Sequence, residues 1–305
     1  MANYSSRATA TAQHFRSCSY NQRREVTLFR SLKDVLGQGM GRDVVTTELH
    51  QKSYVTFPKG RQNGRAQPKC ELADVLILSY PANKPHETRL TLNQAKVWRN
   101  GAPVSGLRHG ADLKFRANLE QWDLLANRPR FLSMHGKGSR FPLDLLSSAS
   151  CGAIGSFGVF FHTNNGWDLS YAIADCLEPI NDNELATGTL RYTNVVNHVC
   201  YSLRGDAEPF CTNLENFLGA LDDGMIGVRV HDGRSDRVKY ADYWRWLSAV
   251  IAEVERDNPN SELPGEIRRG LDLPPISDDE AGQPSAAVRL GARAVVIVRG
   301  GRQDR

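Results

Sequence analysis

The chain has 305 residues, of which 40% are hydrophobic and 24% charged, with 26 Gly and 14 Pro. These proportions belong to a globular protein and exclude a disordered or fibrous one. No run reaches the roughly 18 apolar residues of a membrane helix, and the polar start from Met1 to Arg16 lacks the apolar centre of an export signal. The formal charge of +4 conceals two unequal parts. Residues 1–140 hold 23 Lys and Arg against 10 Asp and Glu, whereas residues 141–305 hold 15 against 24. A basic segment of that size needs counter-ions. Nucleic-acid phosphate is one source, and an internal interface with the acidic half is the other. The six cysteines (18, 70, 151, 176, 200 and 211) are scattered and never form a CxxC pair. That is the usage of reduced thiols, so a cytoplasmic protein without membrane contact is expected.

Residues 1–18, rich in Ser, Ala and Thr, read as a flexible leader. Apolar spacing predicts a helix from Tyr20 to Leu36, with Leu28, Phe29, Leu32, Val35 and Leu36 on one stripe. Gly37, Gly39 and Gly41 are expected to end it in a turn. Their GQGMG run follows a helix and leads into an extended segment, unlike a dinucleotide-binding loop. SYVTF is strand-like. Residues 58–69 carry Lys59, Arg61, Arg65 and Lys69 without an acid, among the Gly, Pro and Asn of a loop. ELADVLILSY and RLTLNQAKVW read as two strands, the second running into Asn100-Gly101. A loop with Arg99, Arg108, Lys114 and Arg116 leads to a helix predicted over roughly Phe115 to Ala126, with Leu119, Trp122 and Leu125 on one face.

The C-terminal half opens with LDLLSSASCGAIGSFGVFFHT and WDLSYAIADCLEPI. VNHVCYSL, MIGVRV and RAVVIVRG are further strand candidates. TNLENFLGALDD and YADYWRWLSAVIAEVERD read as helices, and the Pro- and Asp-rich residues 257–288 as a linker. Charge and pattern both change near residue 140. The expected organisation is a leader (1–18), a basic domain (19–140) and an acidic α+β domain (141–305).

Three places break the apolar pattern. Asp74 shares a strand face with Leu72, Leu76 and Leu78, and Gln94 and Lys96 share one with Leu90 and Leu92. Glu25 falls on the buried stripe of the first helix. A buried charge is costly unless paired or metal-bound. Converging at the end of a small sheet, these groups would satisfy one another through a divalent cation. Asp74 is a hard oxygen ligand for Mg²⁺, and Gln94 offers a carbonyl oxygen to the metal or its water. Glu25 could complete the metal shell, and Lys96 could orient an attacking water or stabilise charge on a phosphate. That is the chemistry of phosphodiester hydrolysis. Other readings stay open at each position. Asp74 could pair with Arg23 or Arg24, Glu25 with a neighbouring Arg, and Lys96 could reach solvent. Glu71 reads as a solvated strand start and Gln121 as a surface residue. The basic loop is either a phosphate contact or merely solvated.

At Glu25, at ELADVLIL with Asp74, and at LNQAK with Gln94 and Lys96, the sequence resembles the PD-(D/E)XK nuclease superfamily, to which many restriction and repair endonucleases belong. NLEQWDLLANRP follows where that core carries its next helix. The resemblance covers roughly residues 20–130. It implies an α/β fold, a small mixed central sheet flanked by helices (a restriction-endonuclease-like core), here with a C-terminal α+β extension. It further implies an endonuclease using Mg²⁺ or Mn²⁺, acting on DNA more than RNA, as in a bacterial or phage-defence effector. Lys59, Arg61, Arg65, Lys69 and Arg99 would then contact nucleic acid. The acidic half would bind a protein partner or a second copy, or sense a target. Gln94 departs from the family pattern, giving QxK for (D/E)xK. One negative charge is lost, and metal binding weakens unless Glu25 or Glu71 compensates. A non-catalytic nucleic-acid-binding subunit of a larger complex is the alternative.

Weaker clusters complete the survey. His198, Cys200, Cys176 and Cys211 lack the close paired spacing of a zinc site. Cys151 with His162 or His198 could form a nucleophile pair, though its surroundings resemble a packed strand entry. Tyr243, Trp244 and Trp246 could stack bases, but beside Leu247, Val250 and Ile251 they read as core.

Overall fold

The computed structural model describes residues 6–49, 52–99, 107, 113–134, 141–181, 183, 186–193, 207–273 and 290–301. Its centre is one mixed sheet that grows from the two strands predicted around Asp74 and Gln94. β4 (Val75–Tyr80) pairs antiparallel with β5 (Arg89–Trp98), with Val75 opposite Asn93 and Leu78 opposite Leu90. β8 (Gly155–Thr163) lies parallel to β5, setting Gln94 opposite Phe157 and Lys96 opposite Val159. β9 (Gly166–Ile173) returns antiparallel to β8, followed at the edge by β12 (Phe210–Cys211). On the other side β14 (Ala294–Arg299) runs parallel to β4, with Ala294 opposite Val75, and β1 (Val44–Glu48) closes that edge antiparallel to β14. β13 (Val228–Arg229) adds to the beginning of β5.

The sheet therefore takes strands from both sides of the boundary expected at residue 140. The charge division is real in sequence but cuts through one sheet: acidic-half strands β8 and β14 flank the β4–β5 pair. Two small sheets sit beside it. One contains β2 (Tyr54–Thr56), β3 (Lys69–Glu71) and β7 (Leu132–Ser133); the other contains β6 (Lys114–Asn118), β10 (Leu177–Pro179) and β11 (Thr187–Tyr192).

Period-two alternation explains why both faces of the sheet are covered. Val75, Ile77, Ala95, Val296 and Val298 face a core built with α1 (Ser6–Ser19), α2 (Glu25–Met40) and α4 (Leu214–Asp222). Leu76, Leu78, Leu90, Leu92, Val295 and Ile297 face the core that includes α3 (Leu119–Asn127), α5 (Ala241–Asp257) and α6 (Leu263–Gly270). Mixed α/β architecture with a helix-flanked mixed sheet is thus the fold class.

Several element expectations need correcting. Residues 6–18 are not a loose leader but lie in helix α1, which buries Ala8, Thr11, Ala12 and Phe15. Phe15 packs 6.0 Å from the Phe160 ring, and Arg16 pairs with Asp168 at 2.8 Å. Helix α2 continues through Gly37 and Gly39 and stops at Gly41, whose φ is 55°. A Cβ at Gly39 would lie 2.3 Å from Thr11 Oγ1, so the glycine permits close approach of α1. The helix predicted from Phe115 starts four residues later. Lys114–Asn118 alternates exposed and buried as a strand, and the Asn118 side chain caps α3 by accepting from Glu120 N and Gln121 N. Within the expected linker, Leu263–Gly270 is helix α6, with proline in its first turn and Leu263, Pro264 and Ile267 buried. VNHVCYSL, Arg108 and residues 274–289 fall outside the described residues, and Tyr243, Trp244 and Trp246 are core.

Candidate active site

Asp74 stands at the entrance to β4, in the gap after β3. Its backbone is pinned from both neighbouring strands: its N–H donates to Asn93 O, and its carbonyl accepts from the N–H groups of Arg293 and Ala294, all at 3.1 Å. The side chain is only 13% exposed. Oδ2 accepts the Ala95 N–H at 3.0 Å, just beyond the last ladder pair, and lies 3.9 Å from Lys96 Nζ. Oδ1 lies 3.6 Å from Arg293 Nε. The partners of Asp74 are therefore Lys96 and Arg293, not Arg23 or Arg24.

Gln94 and Lys96 share a face of β5, as period two requires. Gln94 is fully buried, and its Oε1 accepts from Lys96 Nζ at 3.4 Å. Among the described residues, its buried Nε2 has no hydrogen-bond partner. Lys96 keeps 15% of its side chain exposed, so its ammonium is held near two oxygens with limited access to water. Glu25 approaches from the first turn of α2, where a carboxylate complements the helix dipole. Burial pushes its carboxyl group upward. Lys96 opposes that, Asp74 adds to it, and Arg293 and Arg99 pull the other way. Glu25, Asp74, Gln94 and Lys96 thus form one electrostatic neighbourhood, although three different elements supply them.

Two further residues belong to it. Glu71 is not a solvated strand start: it is 8% exposed, its Oε2 pairs with Arg293 Nη2, and among the described residues its Oε1 has no hydrogen-bond partner. Arg293, at the head of β14, bridges Glu71 and Asp74. Burial disfavours the Arg293 charge, but Glu71, Asp74 and Glu25 outweigh that and raise its basicity. Nothing local in GARAVVIV distinguishes this arginine. Its position depends on the parallel pairing of β14 with β4.

The basic loop divides into different roles. Arg65 forks onto Glu120, Nε to Oε1 at 2.6 Å and Nη2 to Oε2 at 2.5 Å. The Glu120 side chain is 1% exposed and also accepts the Lys69 N–H. Arg61 is buried beside Asp123, a carboxyl raised by burial and lowered by Asn127, by the Gly60 N–H and by Arg61. Gln121 is likewise buried rather than a surface residue. The two arginines fasten the loop to α3. Lys59, Lys69 and Arg99 are exposed, with Lys69 Nζ over the Tyr54 ring at 5.5 Å.

Among the described residues, no three His, Cys, Asp or Glu side chains converge closely enough to hold a metal ion by themselves. The donor set at Asp74 differs from such a cluster, being one carboxylate and one amide carbonyl, with Glu25 in electrostatic reach of Asp74. That set fits Mg²⁺, which keeps several waters and takes few protein ligands. The unpartnered buried Glu71 Oε1 and Gln94 Nε2 also mark a polar site whose hydrogen bonds are incomplete. Cys176 and Cys211 are buried, and burial pushes the Cys176 thiol to about 12 and the Cys211 thiol upward as well. His198 and Cys200 lie outside the described residues.

No protein-family model, curated protein or solved structure matches this chain. Among the described residues, no helix is long and apolar enough to cross a membrane.

Proposed function

We propose that the protein is a metal-dependent nuclease that hydrolyses phosphodiester bonds, DNA in preference to RNA, on a restriction-endonuclease-like core. The observation that carries this is the meeting of Asp74, Gln94 and Lys96 at the adjoining ends of β4 and β5, with the Glu25 carboxyl at the start of α2 in electrostatic reach of Asp74 and Lys96. Asp74 and Gln94 Oε1 would hold the Mg²⁺, with Glu25 supporting it. When bound, the ion polarises the phosphate and favours hydroxide over water.

The chain's own groups do the rest. Lys96 carries a positive charge to where negative charge grows on the phosphate, and a partly desolvated ammonium is effective there. The Ala95 N–H fixes the Asp74 carboxylate, which limits its reorganisation during the reaction. Gln94 restrains the Lys96 ammonium on its own strand face. Lys59, Lys69 and Arg99 supply exposed charge for the nucleic-acid backbone. Cleavage of plasmid DNA that requires Mg²⁺ and disappears in Lys96→Ala tests the proposal.

One observation favours a second reading. Arg293 already neutralises Asp74 and Glu71. A chain that uses this pair only structurally would be a nucleic-acid-binding subunit without catalysis. It would bind with salt-dependent affinity in EDTA and leave nucleic acid intact.

A further inference from the structure

The side chain of Arg293 is 39% exposed, yet its guanidinium reaches back to two carboxylates that are largely buried. Its backbone cannot drift, because its N–H and that of Ala294 both donate to Asp74 O, and its carbonyl accepts Leu49 N–H at 2.7 Å. The cation is thus delivered to Asp74 by the sheet itself. Beside it, Glu71 is more than nine-tenths buried, and among the described residues neither its Oε1 nor the amide nitrogen of buried Gln94 has a hydrogen-bond partner. Three carboxylates, Glu25, Asp74 and Glu71, share the neighbourhood with the cations Lys96 and Arg293, and Arg99 acts on Glu25 as well.

We propose that Arg293 is a resident counter-cation that competes with the divalent metal for Asp74. Resting on the metal-site reading above, the inference adds how that site is controlled. Without metal, the guanidinium sits between the Glu71 and Asp74 carboxylates and offsets their repulsion. A divalent ion entering at Asp74 faces a positive charge already held within ion-pair distance of the same oxygen. Metal affinity is therefore set against Arg293, and Arg293 is a positioning residue for the acid pair. A cation this close to a carboxylate opposes a second cation there, and the partial exposure of Arg293 moderates the effect.

The test is Mn²⁺ binding to the full chain, without nucleic acid, measured by calorimetry and by the electron paramagnetic resonance signal of free Mn²⁺. Arg293→Gln is expected to bind Mn²⁺ about tenfold more tightly than the native chain, whereas Arg293→Lys, which keeps the charge but not the two-pronged reach, should bind more weakly than Arg293→Gln. Because Arg293→Gln leaves buried Glu71 unpaired, the double variant Glu71→Gln/Arg293→Gln is measured beside it, with circular dichroism as a fold control. It is expected to bind tightly as well. Unchanged or weaker binding in the folded charge-neutral variants, with the native chain binding Mn²⁺, overturns this inference alone. No Mn²⁺ binding by any variant or by the native chain overturns it together with the metal-site reading.

Discussion

Arg293 Nε lies 3.6 Å from Asp74 Oδ1, and the Arg293 N–H donates to the Asp74 carbonyl. A residue near the C-terminus thereby both fixes the strand entry that carries the leading metal-ligand candidate and neutralises its side chain. The site belongs to the whole sheet, and no N-terminal fragment contains all of it.

Lys96→Ala is expected to lower the rate of phosphodiester cleavage by about 10²- to 10³-fold, the usual loss when one preorganised charge donor is removed. Affinity for a short duplex in EDTA should stay within about threefold, because one charge among several phosphate contacts is a small part of binding. Single-turnover cleavage and fluorescence anisotropy separate the two quantities.

The basic loop should split under mutation. Arg65→Ala leaves the buried Glu120 carboxylate with only the Lys69 N–H, and it is expected to destabilise the fold by about 1–2 kcal/mol in urea unfolding. Lys59→Ala should leave stability within about 0.5 kcal/mol. If Lys59 contacts phosphate, its removal reduces the slope of log affinity against log salt by about one.

The two glycines late in α2 should respond in opposite directions. Gly39→Ala places a methyl 2.3 Å from Thr11 Oγ1 and forces α1 and α2 apart, at an expected cost of about 1–3 kcal/mol. Gly37→Ala meets nothing within 4 Å in a helical position and should stabilise by about 0.4–1 kcal/mol. Thermal unfolding of both variants checks the pair.

Asp43 ties α1 to β14, accepting from Arg7 Nη1 at 2.6 Å and from Arg299 Nε at 2.8 Å. Burial alone would raise its carboxyl, but the two guanidiniums outweigh burial and hold it below the usual aspartate range. A group depressed in the folded state stabilises above its unfolded pKa, and that contribution is lost as pH falls through its folded pKa. Native protein should exceed Asp43→Asn by about 1 kcal/mol near neutral pH, after allowance for solvent screening. The difference should shrink in urea titrations as pH falls below the ordinary aspartate range.

Local pattern made a large part of this architecture legible. The stripe of Leu28, Leu32, Val35 and Leu36 marked α2, and the branched run Val75–Ser79 with the alternation through Gln94 and Lys96 marked β4 and β5. Those same elements carried Glu25, Asp74, Gln94 and Lys96, each conspicuous as a polar group at an apolar position. Helix α1 was hidden because it buries small Ala and Thr side chains with a single Phe, which leaves little apolar period to detect. Arg293 was hidden for another reason. Its role arises from pairing between distant strands, and an arginine opening a strand looks ordinary in sequence. Glu120 and Asp123 look like the solvated face of a helix until the loop with Arg61 and Arg65 folds onto them.

The central claim is tested most directly by incubating the purified full chain with plasmid DNA and with RNA, in Mg²⁺, Mn²⁺ or EDTA, beside Asp74→Asn and Lys96→Ala. The account predicts strand cleavage by the native chain in either metal, none in EDTA, and loss in both variants while nucleic-acid binding persists. Cleavage by Lys96→Ala at close to the native rate, or salt-sensitive binding by all three proteins with no cleavage in any metal, would contradict it.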